Sequence, residues 1–117
     1  WCIPCLQEFE KSNRLKKRIQ DEENLEYIYL SIDDEKSKWE EKVMELKALT
    51  NPANHYLILD RKKSKLLKLM LIRENPDARY FTIPRYSILN AHNTIINNNA
   101  PRPSDSLMFK KIINQIN

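Results

Sequence analysis

The sequence predicts one α/β domain spanning residues 1–117. Two observations predict this fold class. Helix-like and strand-like stretches follow one another in the order helix, strand, helix, strand, helix, β-hairpin and helix. The first strand-like stretch, residues 25–32, is nearly apolar at residues 27–30, which is typical of a parallel strand buried on both faces. The chain length suits a single domain with a core of its own.

The first helix is predicted over residues 3–20, beginning just after Cys2. Pro4 suits the first turn of a helix, where its missing N–H leaves no hydrogen bond unmade. This position of Pro4 places Cys2 at the N-terminus of the helix. Apolar side chains recur near one helix face, which we expect to be buried: Leu6, Phe9, Leu15 and Ile19.

The middle of the chain is predicted to continue from the strand at residues 25–32 into a second helix. The buried stripe of that helix is expected to comprise Trp39, Val43 and Leu46. Composition and turn residues then indicate a short strand at residues 56–59, a helix at residues 63–72 and a turn at residues 75–77.

The last part of the chain is predicted to form a β-hairpin and a helix. A proline leads into a strand at residues 85–89, and the returning strand is expected at residues 94–97. The chain has no glycine, so positions that need a positive φ are expected to fall to asparagine, which is present in the likely turn at residues 90–93. Ser104 or Asp105 is expected to cap the last helix. Its inward side chains are predicted to be Leu107, Ile112, Ile113 and Ile116.

The strongest functional signal is the pair Cys2 and Cys5, the only two cysteines in the sequence. One helical turn brings such a pair onto one face, within the Cα separation of about 4.4–6.8 Å that a disulfide needs. The helix N-terminus favours the thiolate form of Cys2, and the thiolate is the nucleophile of disulfide exchange. We therefore expect Cys2 to attack a substrate disulfide and Cys5 to resolve the mixed disulfide.

The sequence gives less support to other roles for the cysteine pair. A structural zinc site needs four ligands, and only His55 and His92 could complete the set, at no recognised spacing. A purely structural disulfide across so short a loop would remove little entropy from the unfolded chain. We predict no metal and no organic cofactor. Nucleic acid is not an expected partner either, because the net charge of +4 arises from interleaved basic and acidic residues.

The run Trp1-Cys2-Ile3-Pro4-Cys5 resembles the WCxPC active site of the thioredoxin superfamily. Glu8 narrows the resemblance to the TlpA/ResA group, extracytoplasmic thioredoxins that reduce protein disulfides, some of them in cytochrome c maturation. The resemblance covers nearly the whole chain, and the run at residues 100–104 is also similar, although we have no mechanism for it. The resemblance to this superfamily implies a three-layer α/β/α thioredoxin-like fold with a mixed sheet, truncated before the active-site helix. Glu10 departs from the pattern, since a kinking proline usually stands there.

The resemblance also implies roles for individual residues. Glu8 would help to move protons at the cysteines, whereas spacing alone equally allows an exposed helix glutamate. Pro84 would be a cis-proline that packs against the cysteine pair, and Ile83 would offer its backbone to an extended substrate. The residues with implied substrate contacts are Trp1, Ile3, Pro4, Ile83 and Pro84.

The resemblance further implies the partners and the location of the protein. Its substrates would be proteins with disulfides, and its electrons would come from a partner thioredoxin or a membrane thiol reductase. We expect a periplasmic or other extracytoplasmic location, reached through an N-terminal segment that exports or tethers the chain. Reduction potentials from about −270 to about −120 mV occur in related folds, so both reductase and oxidase directions stay open. The alternatives are a redox-inert binding domain and a peroxiredoxin-like peroxidase.

In the resembled fold, a central strand runs directly into the Trp-Cys pair, and the sequence begins at Trp1. The strands near residues 27–32 and 85–89 would flank that place. Each buried backbone group left unsatisfied there costs about 1–3 kcal/mol. We therefore expect one of three states: the flanking strands pair directly, a second copy fills the place, or an upstream peptide supplies it. A strand-swapped homodimer is the favoured state, because exposed strand edges recruit partners.

Overall fold

The computed structural model describes residues 2–23, 25–60, 63–70, 72–75, 78–80 and 83–116. Helices and short parallel and antiparallel sheets make this part of the chain mixed α/β. The helices are α1 (Ile3–Glu23), α2 (Lys36–Glu45), α3 (Lys65–Met70) and α4 (Ser106–Ile116). The strands are β1 (Tyr29–Ser31), β2 (His55–Leu57), β3 (Ile72–Asn75), β4 (Ala78–Tyr80), β5 (Tyr86–Leu89) and β6 (Ile95–Ala100).

The strands in the described ranges pair two by two. β1 and β2 run parallel, with Tyr29 opposite His55. β3 with β4 and β5 with β6 form antiparallel pairs, and the register of the second pair shifts between Tyr86 and Leu89. The predicted single mixed sheet is thus represented by three separate two-stranded sheets.

The two strands predicted to flank a missing central strand are β1 and β5. In the described part of the chain they belong to different sheets, since β1 pairs with β2 and β5 pairs with β6. Direct pairing of the flanking strands, the first of the three expected states, is therefore not adopted. The strand-swapped homodimer and the upstream peptide stay predictions.

The core joins α1 and α4 to the β5–β6 hairpin. Its buried members are Leu15, Ile19, Ile88, Ala100, Phe109 and Ile113. Phe9 is buried as well, so the predicted apolar face of the first helix is confirmed at Phe9, Leu15 and Ile19. α1 continues through Glu10 without interruption, as expected for a helix that lacks the kinking proline at this position.

Two details of the predicted helices are wrong. The third helix ends at Met70, and Ile72 instead opens β3, where it lies opposite Tyr80. The antiparallel pairing of Ile72 with Tyr80 supplies strand contacts in place of a further helical turn. Part of the predicted turn, at residues 76–77, lies outside the described residues. In α4, Leu107 is 80% exposed, and Phe109 takes the inward position.

The turn between β5 and β6 confirms the role expected of asparagine. Asn93 has a φ of 61°. The side-chain oxygen of Asn90 accepts hydrogen bonds from the backbone N–H groups of His92 (2.9 Å) and Thr94 (3.0 Å). Asparagine tolerates this left-handed conformation better than most residues, which lets the chain turn without glycine.

Among the helices of the described ranges, none combines the length and the apolar composition that crossing a bilayer requires.

Candidate functional site

The two cysteines lie at the start of α1 and are joined by a disulfide. Cys2 immediately precedes the helix and Cys5 lies in its first turn, with 5.2 Å between their Cα atoms. The backbone N–H of Cys5 donates to the sulfur of Cys2 at 3.2 Å, and the N–H of Leu6 donates to the Cys2 carbonyl at 3.1 Å. Cys2 therefore occupies the helix N-terminus, as predicted, and its sulfur receives one of the otherwise unpaired N–H groups there.

The residues with implied substrate contacts are exposed to different degrees. Ile3 is 65% exposed and Pro4 is also exposed, so this turn presents an apolar surface beside the disulfide. Trp1 lies outside the described residues. The peptide bond between Ile83 and Pro84 is cis, as expected for Pro84, whereas the packing of Pro84 against the cysteine pair stays a prediction. Ile83 is 42% exposed. The contacts of these residues with a substrate stay predictions.

Glu8 is buried, not exposed, and its carboxylate contacts Ser104. Only 2% of the residue is accessible to solvent, so the alternative of an exposed helix glutamate is wrong. The Ser104 backbone N–H donates to Oε1 at 2.8 Å, and the Ser104 hydroxyl donates to Oε2. This Glu8–Ser104 contact joins α1 to the loop before α4. Ser104, predicted as a candidate helix cap, instead directs its hydroxyl at Glu8.

Sequence reasoning missed the role of Ser104. The only signal was that the run at residues 100–104 resembles the TlpA/ResA group, and this resemblance implies no role for Ser104. In the structure, Ala100 and Pro103 of this run are buried, and Ser104 binds the carboxylate of a residue 96 positions earlier. The run thus lies against the helix that carries the cysteines.

A second polar region follows along the same helix. Glu8, Ser12 and Lys16 are spaced by four residues each, and all three are buried. Residues at this spacing lie near one another on a helix surface. The Ser12 hydroxyl donates to the Glu8 carbonyl, which satisfies it within the helix. The buried face of α1 therefore carries a line of polar groups beside its apolar side chains.

Lys16 lies in a pocket of aromatic side chains. Its ammonium donates to the Tyr29 hydroxyl at 3.2 Å. Three ring centroids lie 4.9 to 5.4 Å from its nitrogen: those of Phe9, Tyr27 and Tyr29. Burial lowers the pKa of Lys16 from its ordinary value of 10.5 to about 8, and the negative charge of Glu8 opposes this change. The aromatic faces compensate only part of the lost hydration.

His55 borders the same pocket from β2. Its ring stacks on Tyr29 with centroids 4.6 Å apart, and its Nε2 lies 2.7 Å from the Thr50 hydroxyl oxygen. Burial, followed by the charge of Lys16, lowers the pKa of His55. Among the described residues, no three His, Cys, Asp or Glu side chains come together as a group able to hold a metal ion. The described site offers the chemistry of a disulfide and, one helical turn further along α1, of a buried carboxylate.

Comparisons of the chain with family models, with curated proteins and with solved structures found no match. The family assignment therefore still depends on the motif resemblance.

Proposed function

We propose that the protein is a thiol–disulfide oxidoreductase that reduces protein disulfides through Cys2 and Cys5. The observation that carries the proposal is the Cys2–Cys5 disulfide at the first turn of α1, with the sulfur of Cys2 at the helix N-terminus. The positive end of the helix dipole and the nearby N–H groups stabilise a thiolate at that position.

The reaction begins with the dithiol form. The Cys2 thiolate attacks a substrate disulfide, forms a mixed disulfide and releases one substrate sulfur as a thiolate, which takes up a proton. Cys5, after losing its proton, attacks the Cys2 sulfur, forms the Cys2–Cys5 disulfide and releases the second substrate sulfur as a thiol. The substrate gains two electrons and two protons. A partner thioredoxin or a membrane thiol reductase then returns two electrons to the pair.

The proposal includes a thioredoxin-like fold of the TlpA/ResA kind and an extracytoplasmic location. The mixed α/β architecture and the position of Cys2 ahead of α1 support the fold, and the location is proposed from the motif resemblance alone. Glu8, one turn after Cys5, is the carboxylate we assign to proton transfer. Helical spacing puts the Cβ atoms of two such residues about 5–6 Å apart.

The division of labour between the cysteines provides the test. We expect the reduced protein to reduce the disulfides of insulin, Cys2→Ser to abolish this activity, and Cys5→Ser to accumulate a mixed disulfide visible by mass spectrometry. Alkylation near neutral pH should label Cys2 first. Faster labelling of Cys5 would reverse the assignment. Peroxide consumption without insulin reduction would favour a peroxidase, and neither activity would favour a redox-inert binding domain.

A further inference from the structure

The Glu8–Ser104 contact occupies both oxygens of a buried carboxylate with donors from a single residue. The backbone N–H of Ser104 binds Oε1 and the hydroxyl of Ser104 binds Oε2. Glu8 lies one helical turn after Cys5, so the loop before α4 reaches the carboxylate closest in sequence to the cysteine pair. A carboxylate held in this way keeps a second lone pair on each oxygen, where it can take up a proton.

The two donors of Ser104 differ in what they can do. A backbone N–H can only donate, whereas a hydroxyl donates and accepts. When Glu8 is ionised, the hydroxyl donates to Oε2. When Oε2 carries a proton, the same hydroxyl can rotate and accept it, while the N–H continues to bind Oε1. Ser104 can therefore hold the carboxyl group at one place in both protonation states.

We propose that Ser104 is a positioning residue for thiol–disulfide exchange, which holds Glu8 in place while Glu8 takes the proton of Cys5. The inference rests on the proposed function. In the resolving step, the Cys5 proton passes to Oε2 of Glu8, and the Cys5 sulfur bonds to the Cys2 sulfur. The bond from Cys2 to the substrate breaks, and the substrate sulfur leaves with that electron pair and takes a proton from water. Glu8 returns its proton to solvent afterwards.

Other titratable groups act on the same region. Lys16 lies two turns further along α1, and Tyr86 faces Glu8 from β5. Burial, followed by the charge of Glu8, raises the pKa of Tyr86, and the charge of Arg102 opposes this change. Tyr86 is therefore a neutral phenol throughout the pH range of an exchange assay. Substituting Ser104 leaves the ionisable groups of Lys16 and Tyr86 in place, and both interact electrostatically with Glu8, so a change of pH profile in Ser104→Ala reports on the Glu8 carboxyl and its charge.

The test uses the aromatic disulfide DTNB, which needs no natural substrate. Attack by Cys2 releases one coloured thiolate in a step that depends on reagent concentration. Attack by Cys5 releases the second in a step that does not. Stopped-flow absorbance from pH 5.5 to 8.5 follows the two steps separately in the reduced protein.

Four variants separate positioning from proton transfer and from stability. Ser104→Ala keeps the titrating carboxyl and removes the hydroxyl, whereas Glu8→Gln keeps hydrogen-bonding atoms of the same shape and removes the titration. Both are expected to slow the second step at least about fivefold at neutral pH, within the usual effect of a positioned proton acceptor. Both should also change its pH profile. Ser104→Thr, which keeps a hydroxyl, should retain the wild-type profile, and so should the matched control Ser106→Ala, two residues away and exposed.

The outcomes distinguish this inference from the proposed function. If Ser104→Ala only lowers the melting temperature and leaves the second step unchanged, Ser104 is a structural contact and the inference is wrong. The inference is also wrong if Glu8→Gln leaves the rate and the pH profile of the second step unchanged. This variant therefore tests the inference even if Ser104→Ala fails to fold. If the wild-type protein releases no second thiolate, the proposed function itself fails.

Discussion

The two halves of α1 bury opposite charges in different ways. Near the cysteines, the carboxylate of Glu8 receives an N–H and a hydroxyl, which are strong donors to an ionised group. Two turns later, the ammonium of Lys16 has, among the described residues, one hydrogen bond, to a neutral hydroxyl, and it lies over aromatic rings. Glu8 is thus bound by matched polar partners, whereas Lys16 is held mainly by packing.

The difference shows how a buried charge can contribute to a fold or weaken it. A charge whose hydrogen bonds are replaced in full loses little on burial, and removing it leaves its partners unsatisfied. A charge whose hydration is only partly replaced is destabilising in its ionised form, and its pKa moves toward neutrality. The pKa of Lys16, lowered by burial to about 8, places it in the second class.

The largest expected effect comes from removing the well-satisfied charge. Glu8→Ala removes two hydrogen bonds from Ser104 to a buried, ionised carboxylate, and hydrogen bonds to charged groups contribute about 1.5–3 kcal/mol each. We therefore expect the free energy of unfolding, measured with urea, to fall by about 2–5 kcal/mol. Glu10→Ala is the control, because Glu10 is exposed on the same helix and its loss should change stability by less than about 0.5 kcal/mol. Equal effects of the two variants would contradict the comparison.

Removing the poorly satisfied charge should have the opposite sign. Lys16→Met keeps an unbranched side chain in the aromatic pocket and removes the desolvated ammonium. We expect the free energy of unfolding at pH 7 to rise by about 1–3 kcal/mol, the range seen when buried charges give way to apolar residues of similar size. Lys17→Met, at an exposed neighbouring position, provides the control. A loss of stability in Lys16→Met alone would show that the ring faces and the Tyr29 hydroxyl fully replace the lost hydration.

The pH dependence of stability gives the smallest and most specific effect. Lys16 titrates near pH 8 in the folded protein and near 10.5 when unfolded, so between these values the unfolded chain binds more protons. The free energy of unfolding should therefore rise with pH above 8, by about 1–2 kcal/mol up to pH 10. Near pH 10 the sign reverses, because burial raises the pKa of Tyr29 to about 12 and the folded state keeps a proton that the unfolded chain loses.

Urea unfolding in steps of half a pH unit from pH 7 to 10.5 measures this effect. The rise between pH 8 and 10 should disappear in Lys16→Met and persist in Lys17→Met. A rise of the same size in both variants would assign the titration to another group.

Short-range predictions along the chain mostly agree with the structure. The cysteine spacing predicted a pair that one helical turn can join, and the absence of glycine pointed to asparagine in the turns, as found at Asn93. The predicted end of the third helix was wrong, because Ile72 pairs with Tyr80 in a strand. Helical periodicity considers only residues a few positions apart, so it could not detect this pairing. The burial of Lys16 was not predicted either. Its neighbour Lys17 is the same residue type in the same stretch of sequence, and it is exposed.

The sequence by itself determined the local features of the candidate site, because each depends on residues within one or two helical turns. Pro4 and the spacing of the cysteines suffice to place Cys2 ahead of α1. Only the tertiary structure decided which partner each buried charge receives. Glu8 binds a serine 96 residues away, and Lys16 meets rings contributed by both α1 and the strand region that follows it. Long-range contacts of this kind depend on how the core packs, and no local pattern of polarity specifies them.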